Sequence, residues 1–141
     1  MMISTKGRYA LRVMLDLANN PDEDYVSLNG IAQRQGISMK YLEAIVAVLN
    51  KSGFLESRRG KTGGYRLAKP ADSYSVRSIL QAAEGELMPV NCRGCADGTC
   101  PRADQCNTLP LWQKLEGLIG GFLESITLQD LVDGNLPDSL V

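Results

Sequence analysis

Apolar residues recur at helical spacing along most of the chain and alternate over one short interval. Ala10, Val13, Met14 and Leu17 fall at i, i+3, i+4 and i+7, one stripe of an amphipathic helix. Ser4 or Thr5 is placed to cap it, and Asn20-Pro21-Asp22 ends it. Ser27 opens a shorter helix with Leu28, Ile31 and Ala32 inward, and Gly36 closes it. Ser38 then caps a helix from Met39 to about Lys51, with Leu42, Ile45, Val46 and Leu49 on one face. Two short helices joined by a tight turn at Gly36 form the pattern of a helix-turn-helix.

The period then changes. Phe54-Leu55-Glu56-Ser57 reads as a strand and Tyr65-Arg66-Leu67-Ala68 as its return, around the basic, glycine-rich turn Arg58-Arg59-Gly60-Lys61-Thr62-Gly63-Gly64. A hairpin after the second helix of such a pair is a wing. Ser75 caps a further helix with Val76, Ile79, Leu80 and Ala83 inward, ending at Gly85 and suited to support the wing. Residues 86–110 read as loop. Beyond Pro110 a helix carries Leu111, Leu115, Leu118 and Phe122 on one face, with Trp112, Ile119, Leu123 and Ile126 beside them. That arc is too wide for one exposed helix to hide, so it is expected to pack on its own head and on a second copy. Gly117, Gly120 and Gly121 weaken this helix by about 1 kcal/mol each, which close approach of a partner backbone, or a kink, would explain. Thr127 caps a last helix, Leu128 to Val132, followed by Gly134 and a tail expected to fray.

The fold class expected is mainly α with a small β-hairpin wing: a winged helix-turn-helix followed by a long C-terminal dimerisation helix. Residues 1–85 form the head, 86–110 a cysteine-rich loop, and 111–141 the dimerisation helix, last helix and tail.

Charge sharpens the reading. Over residues 1–70 there are 11 Lys and Arg against 6 Asp and Glu; over residues 71–141 there are 4 against 10. The overall charge of −1 hides a basic front and an acidic back, which points to a polyanion partner for the front. The second helix of such a pair enters the DNA major groove by its N-terminal residues. There, Ser38 and Met39 lead in, and Lys40, Glu43 and Ala47 face outward. Lys40 suits phosphate or guanine, and Glu43 can accept from the amino group of cytosine. Arg58, Arg59 and Lys61 suit a backbone or minor-groove contact from the wing. Lys6 and Arg8, near a helix N-terminus, suit a phosphate. The glycine-rich turn lacks the spacing of a phosphate-binding loop. With no histidine and no nucleophile–base pair to place, an enzyme is not expected. A signal-peptide core and long apolar runs are also missing, so a cytoplasmic protein without membrane spans is expected.

All four cysteines, Cys92, Cys95, Cys100 and Cys106, lie in the loop at C-x2-C-x4-C-x5-C. In a reducing cytoplasm clustered cysteines serve as thiolate ligands more often than as structural disulfides. The intervals suit a zinc site and an iron–sulfur cluster alike; thiols forming regulatory disulfides are a third reading.

Four segments together resemble the bacterial winged-helix regulators of the IscR, NsrR and CymR kind, the Rrf-two family. They are Ile3-Ser4-Thr5-Lys6-Gly7-Arg8-Tyr9-Ala10, Ile37-Ser38-Met39-Lys40-Tyr41-Leu42-Glu43, Arg58-Arg59-Gly60-Lys61-Thr62-Gly63-Gly64-Tyr65, and Trp112 with Ile126-Thr127-Leu128-Gln129-Asp130-Leu131. The resemblance implies a homodimer on double-stranded operator DNA, with base readout falling on Ser38, Glu43 and Arg59. It implies an iron–sulfur cluster, 2Fe–2S before 4Fe–4S, held by three cysteines best matched by Cys92, Cys100 and Cys106, with zinc the alternative metal. Some relatives act instead through a cysteine-metabolism enzyme, and a small electron carrier without DNA is the rival class. Two positions depart from the pattern. Where IscR-like proteins have a histidine, three residues after the last cysteine, this chain has Leu109. Cys95 is additional and becomes the fourth thiolate candidate, with Asp97 and Asp104 as oxygen alternatives.

Overall fold

The computed structural model describes residues 3–22, 24–90 and 99–138. The described elements run α1 Thr5–Ala18, α2 Leu28–Gln35, α3 Met39–Lys51, β1 Leu55–Arg58, β2 Gly64–Leu67, α4 Val76–Glu84, α5 Leu109–Ser125 and α6 Leu128–Asp133. Single 3₁₀ turns lie at Ala71–Ser73 and Ala103–Gln105. No described helix is long and apolar enough to cross a membrane.

Helix starts follow local chemistry. Ser27, Ser38 and Ser75 each accept from the backbone N–H three residues on, at 3.1, 3.3 and 3.1 Å. Thr127 and Asp130 form a reciprocal capping box, at 3.0 and 2.9 Å. Such caps contribute about 1 kcal/mol each. The turn between α2 and α3 pivots on Gly36, at φ +63°, where a side chain is strained, and Ile37 plugs it from inside.

The stripes converge on one core. Val13 and Met14 of α1, Ile31 of α2, Leu42, Ile45 and Leu49 of α3, and Ile79 of α4 are buried together. The wing strands pair antiparallel with Leu55 opposite Leu67 and Arg58 opposite Gly64, one residue later on the first strand and one earlier on the second than alternation suggested. Val26 bridges Tyr65 and extends the wing sheet by one position.

The C-terminal segment is tied into the head. Val76 N donates to Ile126 O at 2.8 Å, and Leu128 N to Tyr74 O at 2.9 Å. Leu128 is fully buried in the main core, while Ile126 packs with Val76 and Leu80. Phe122 and Leu123 of α5 pack on that second cluster, whereas Leu111, Leu115 and Leu118 stand 56%, 36% and 67% exposed. The wide arc of α5 therefore divides: one edge covers its own head and the other is left bare. Gly120 faces Arg77, whose guanidinium carbon lies 3.1 Å from where a Cβ would be, while Gly117 and Gly121 have open space. Within the chain, the close approach is by a side chain of α4.

Candidate nucleic-acid interface and cysteine loop

Burying Leu42, Ile45, Val46 and Leu49 turns the opposite face of α3 outward, so Ser38, Met39, Lys40, Glu43 and Ala47 are all exposed. Ser38 uses an oxygen lone pair as the N-cap acceptor for Tyr41 N, which leaves its hydroxyl proton for an outside acceptor. Two contacts set the pose of α3. Tyr41 packs edge-on against Tyr9 of α1, with ring centroids 5.6 Å apart. Asp16, buried in α1, accepts from Arg34 and Gln35 of α2, including Arg34 Nη2 at 2.8 Å and Gln35 Nε2 at 2.9 Å. Arg12 closes that knot by donating to Gln35 Oε1 at 3.0 Å.

The wing separates its three cations. Arg59 and Lys61 are exposed and have no side-chain partner among the described residues. Arg58 is the last residue of β1 and is engaged: it pairs with Asp24 at 2.8 Å, donates to Thr62 O at 3.0 Å and lies over the Tyr25 ring at 4.2 Å. Arg66, from β2, joins the same group through Asp24 and Glu56, each at 2.8 Å. The Arg66 guanidinium is held above its ordinary value, chiefly by the Glu56 hydrogen bond.

The N-terminus of α1 also differs from expectation. Ser4 occupies the N-cap position without making a side-chain cap bond. The acceptor is instead Glu84, from the last turn of α4: its Oε1 takes Ser4 N and Gly7 N, both at 2.9 Å, and the Ser4 hydroxyl. These N–H groups, expected to help Lys6 and Arg8 hold a phosphate, already carry a carboxylate. Arg8 is exposed and donates to Thr5 Oγ1 at 3.2 Å; Lys6 is half-buried.

Of the cysteines, Cys92 and Cys95 lie outside the described residues, as does Asp97. Cys100 and Cys106 are half-exposed thiols in no disulfide, on either side of the 3₁₀ turn, where Ala103 N donates to Cys100 O at 3.1 Å and Cys106 N to Ala103 O at 3.4 Å. The Cys106 thiol sits 3.2 Å from Thr108 Oγ1. That hydroxyl first, and the Thr108 backbone second, hold it below its ordinary value, which favours the thiolate a metal requires. Asp104 is exposed. Among the described residues no group of three or more metal-ligating side chains converges. Leu109 lines a largely apolar cleft of about 110 Å³ with Met88, Pro89, Val90 and Trp112, edged by Gln113 and Glu116. It offers no donor atom, and the cleft brings the two ends of the loop together. Periodicity gave no signal for Glu84, Asp24, Tyr25 or Asp16, since each acts across elements distant in sequence.

A helical head whose third helix turns a polar face outward, followed by a cationic hairpin, is the architecture of a winged helix-turn-helix DNA-binding regulator. The Rrf2 family model, described as an iron-dependent transcriptional regulator, matches residues 3–134. The HTH-type transcriptional regulator IscR of Escherichia coli is 41% identical over 133 residues, 94% of this chain and 81% of that protein. Among solved structures, CymR, the global cysteine regulator of B. subtilis, superposes with a TM-score of 0.78 at 34% identity, covering 95% of this chain and 98% of that one. T. potens IscR gives 0.75 at 37%, covering 95% and 88%. The chain belongs to the Rrf2 family: it is a DNA-binding transcriptional regulator and not an enzyme.

Proposed function

We propose that the chain acts in the cytoplasm as a homodimer on a near-palindromic operator, and that an iron–sulfur cluster held by thiolates of the 86–108 loop sets its affinity for DNA. The observation carrying this reading is the loop's position: it leaves the end of α4, re-enters at α5 and is closed by the Met88–Val90 and Leu109–Trp112 cleft. Cys92 follows Val90 by two residues and Cys106 precedes Leu109 by three. Covalent reach therefore keeps Cys106 within about 10 Å of that cleft. Cys92, Cys100 and Cys106 would hold the cluster, with Cys95 as fourth ligand in place of the histidine that Leu109 replaces. Such a cluster supplies a one-electron couple and a report of iron–sulfur supply. An all-thiolate site carries more negative charge than one with imidazole, which lowers its reduction potential.

The bare Leu111, Leu115 and Leu118 stripe supports the homodimer. Two recognition helices would then meet half-sites about 34 Å apart or a multiple of that. Ser38, Glu43 and Arg59 read bases, with Lys6, Arg8, Met39, Lys40 and Lys61 alongside.

Anaerobic purification followed by a visible spectrum and iron, sulfide and zinc analysis tests the cluster, on wild type and on Cys95→Ala. A brown protein with iron and sulfide is expected, with altered spectrum or stability in the variant. A colourless protein with stoichiometric zinc sinks the cluster reading. Operator binding is then measured with loaded and metal-free protein over a salt series. Equal affinity in both forms removes the sensing step. Glu43→Ala should relax sequence preference more than it weakens binding, and Arg59→Ala should weaken binding.

A further inference from the structure

Asp24 and Tyr25 precede the head's second helix and carry no positive charge, yet both wing strands converge on them. Asp24 Oδ2 accepts from Arg58 of β1 and Asp24 Oδ1 from Arg66 of β2, each at 2.8 Å. The two guanidiniums lie over the same Tyr25 ring, at 4.2 and 4.6 Å. In the strand register Glu56, Arg58 and Arg66 share one face of the hairpin. Arg58 also reaches forward to Thr62 O, so one side chain joins the wing's base to its turn.

The backbone beside this group is equally close. Val26 exchanges both hydrogen bonds with Tyr65, at 2.8 and 2.9 Å. A Cβ on Gly64 would stand 2.1 Å from Val26 O, and one on Gly63 would stand 2.1 Å from Arg58 O. Only glycine lets the wing close on segment 24–26. An isolated exposed ion pair contributes little; here two carboxylates, Asp24 and Glu56, one ring, two forked cations and a fixed backbone contact form a network.

We propose that Asp24 and Tyr25 are positioning residues for DNA recognition: they brace the wing through Arg58 and Arg66, and Arg59 and Lys61 are the cations the wing presents to DNA. This rests on the reading that the wing touches the operator. The brace and simple electrostatics predict opposite signs. Asp24 places a negative charge on a basic face, so its removal should tighten DNA binding if charge alone matters. If Asp24 holds the wing in its binding pose, removal weakens binding.

The test uses the full chain and an operator fragment selected by the wild type from random double-stranded DNA. Affinity over a salt series is measured for wild type, Asp24→Asn, Arg58→Lys and Arg59→Ala, together with amide exchange across residues 59–63 without DNA. Asp24→Asn and Arg58→Lys should weaken binding by about fivefold to tenfold. The Arg58→Lys salt slope should be unchanged, and the wing amides of both variants should exchange faster while the melting temperature holds. A lysine at a phosphate contact would keep most of its affinity; at the brace it loses the fork. Tighter or unchanged binding by Asp24→Asn, or unchanged wing exchange, overturns the proposal. If Asp24→Asn does not fold, Arg58→Lys carries the same two readouts. If Arg59→Ala leaves affinity and salt slope untouched, the wing–DNA contact itself fails, and exchange at 59–63 then decides the brace alone.

Discussion

Glu84 and Gly7 supply a quantitative check on how the head is joined. Glu84 Oε1 accepts from Ser4 N and Gly7 N at 2.9 Å and so does the work of an N-cap from a different helix. Losing that cap costs about 1 kcal/mol, and losing a carboxylate at a helix N-terminus costs up to about another 1 kcal/mol. Gly7 lies within α1, where alanine is favoured over glycine by about 1 kcal/mol. A Cβ there would sit 2.4 Å from Glu84 Oε1, so the carboxylate must leave. Gly7→Ala alone therefore sets a loss of about 1–2 kcal/mol against a gain of about 1 kcal/mol, for a net effect near zero to mildly destabilising. In a Glu84→Ala background the cap is already gone and the same substitution should stabilise by about 1 kcal/mol. The coupling energy of the four-chain cycle is the cap itself, about 1–2 kcal/mol. Urea or thermal unfolding at one fixed protein concentration measures it, with roughly 4 °C of melting temperature per kcal/mol. Additivity within about 0.3 kcal/mol, or destabilisation by Gly7→Ala in both backgrounds, refutes the reasoning.

Further outcomes follow from single contacts. Tyr74 Oη donates to Phe54 O and accepts from Lys69 N, both at 2.9 Å, so Tyr74→Phe should cost about 1–2 kcal/mol in chemical denaturation. Burial first holds Tyr74 above its ordinary value of 10.0. The folded state thus favours the protonated phenol, and that stability is complete below pH 10 and lost as pH climbs through the raised value; the gap between wild type and variant should narrow there. Asp16→Ala strips Arg34 and Gln35 of a buried acceptor and should cost about 1.5–3 kcal/mol, read in the same unfolding assay; a loss under about 0.5 kcal/mol would demote the knot to a surface ion pair. Leu118 is 67% exposed, and Leu118→Glu should yield a folded monomer by sedimentation at micromolar concentration; an unweakened dimer would exclude this edge of α5 from the interface.

The amphipathic stripes and their caps were legible because both are local. Ala10, Val13, Met14 and Leu17, or Leu42, Ile45, Val46 and Leu49, lie on one face by helix geometry alone, and all eight are buried. The same geometry turned Lys40 and Glu43 outward. Ser27, Ser38, Ser75 and Thr127 cap as their spacing implies, because donor and acceptor are three residues apart. Ser4 was legible as an N-cap position but not as a helix start whose acceptor sits eighty positions away. Wing strand boundaries differ from the alternation by a residue at each end, and Val26, which no pattern links to the hairpin, pairs with Tyr65.

The cysteine loop divides along the same line. The sequence alone determined that four thiols lie in one segment between head and C-terminal helix, and that Leu109 stands where the family resemblance implies a histidine. Only the tertiary structure decided that Leu109 faces a largely apolar cleft closing the loop's two ends, that Glu84 at the end of α4 is clasped to the start of α1, and that Arg58 is held by Asp24 and Tyr25 instead of projecting with Arg59. Side-chain periodicity records which face of an element is turned inward. It carries no record of which distant group that face meets, because such contacts are set by packing between elements, and charges alike in sequence become unlike once one of them finds a partner.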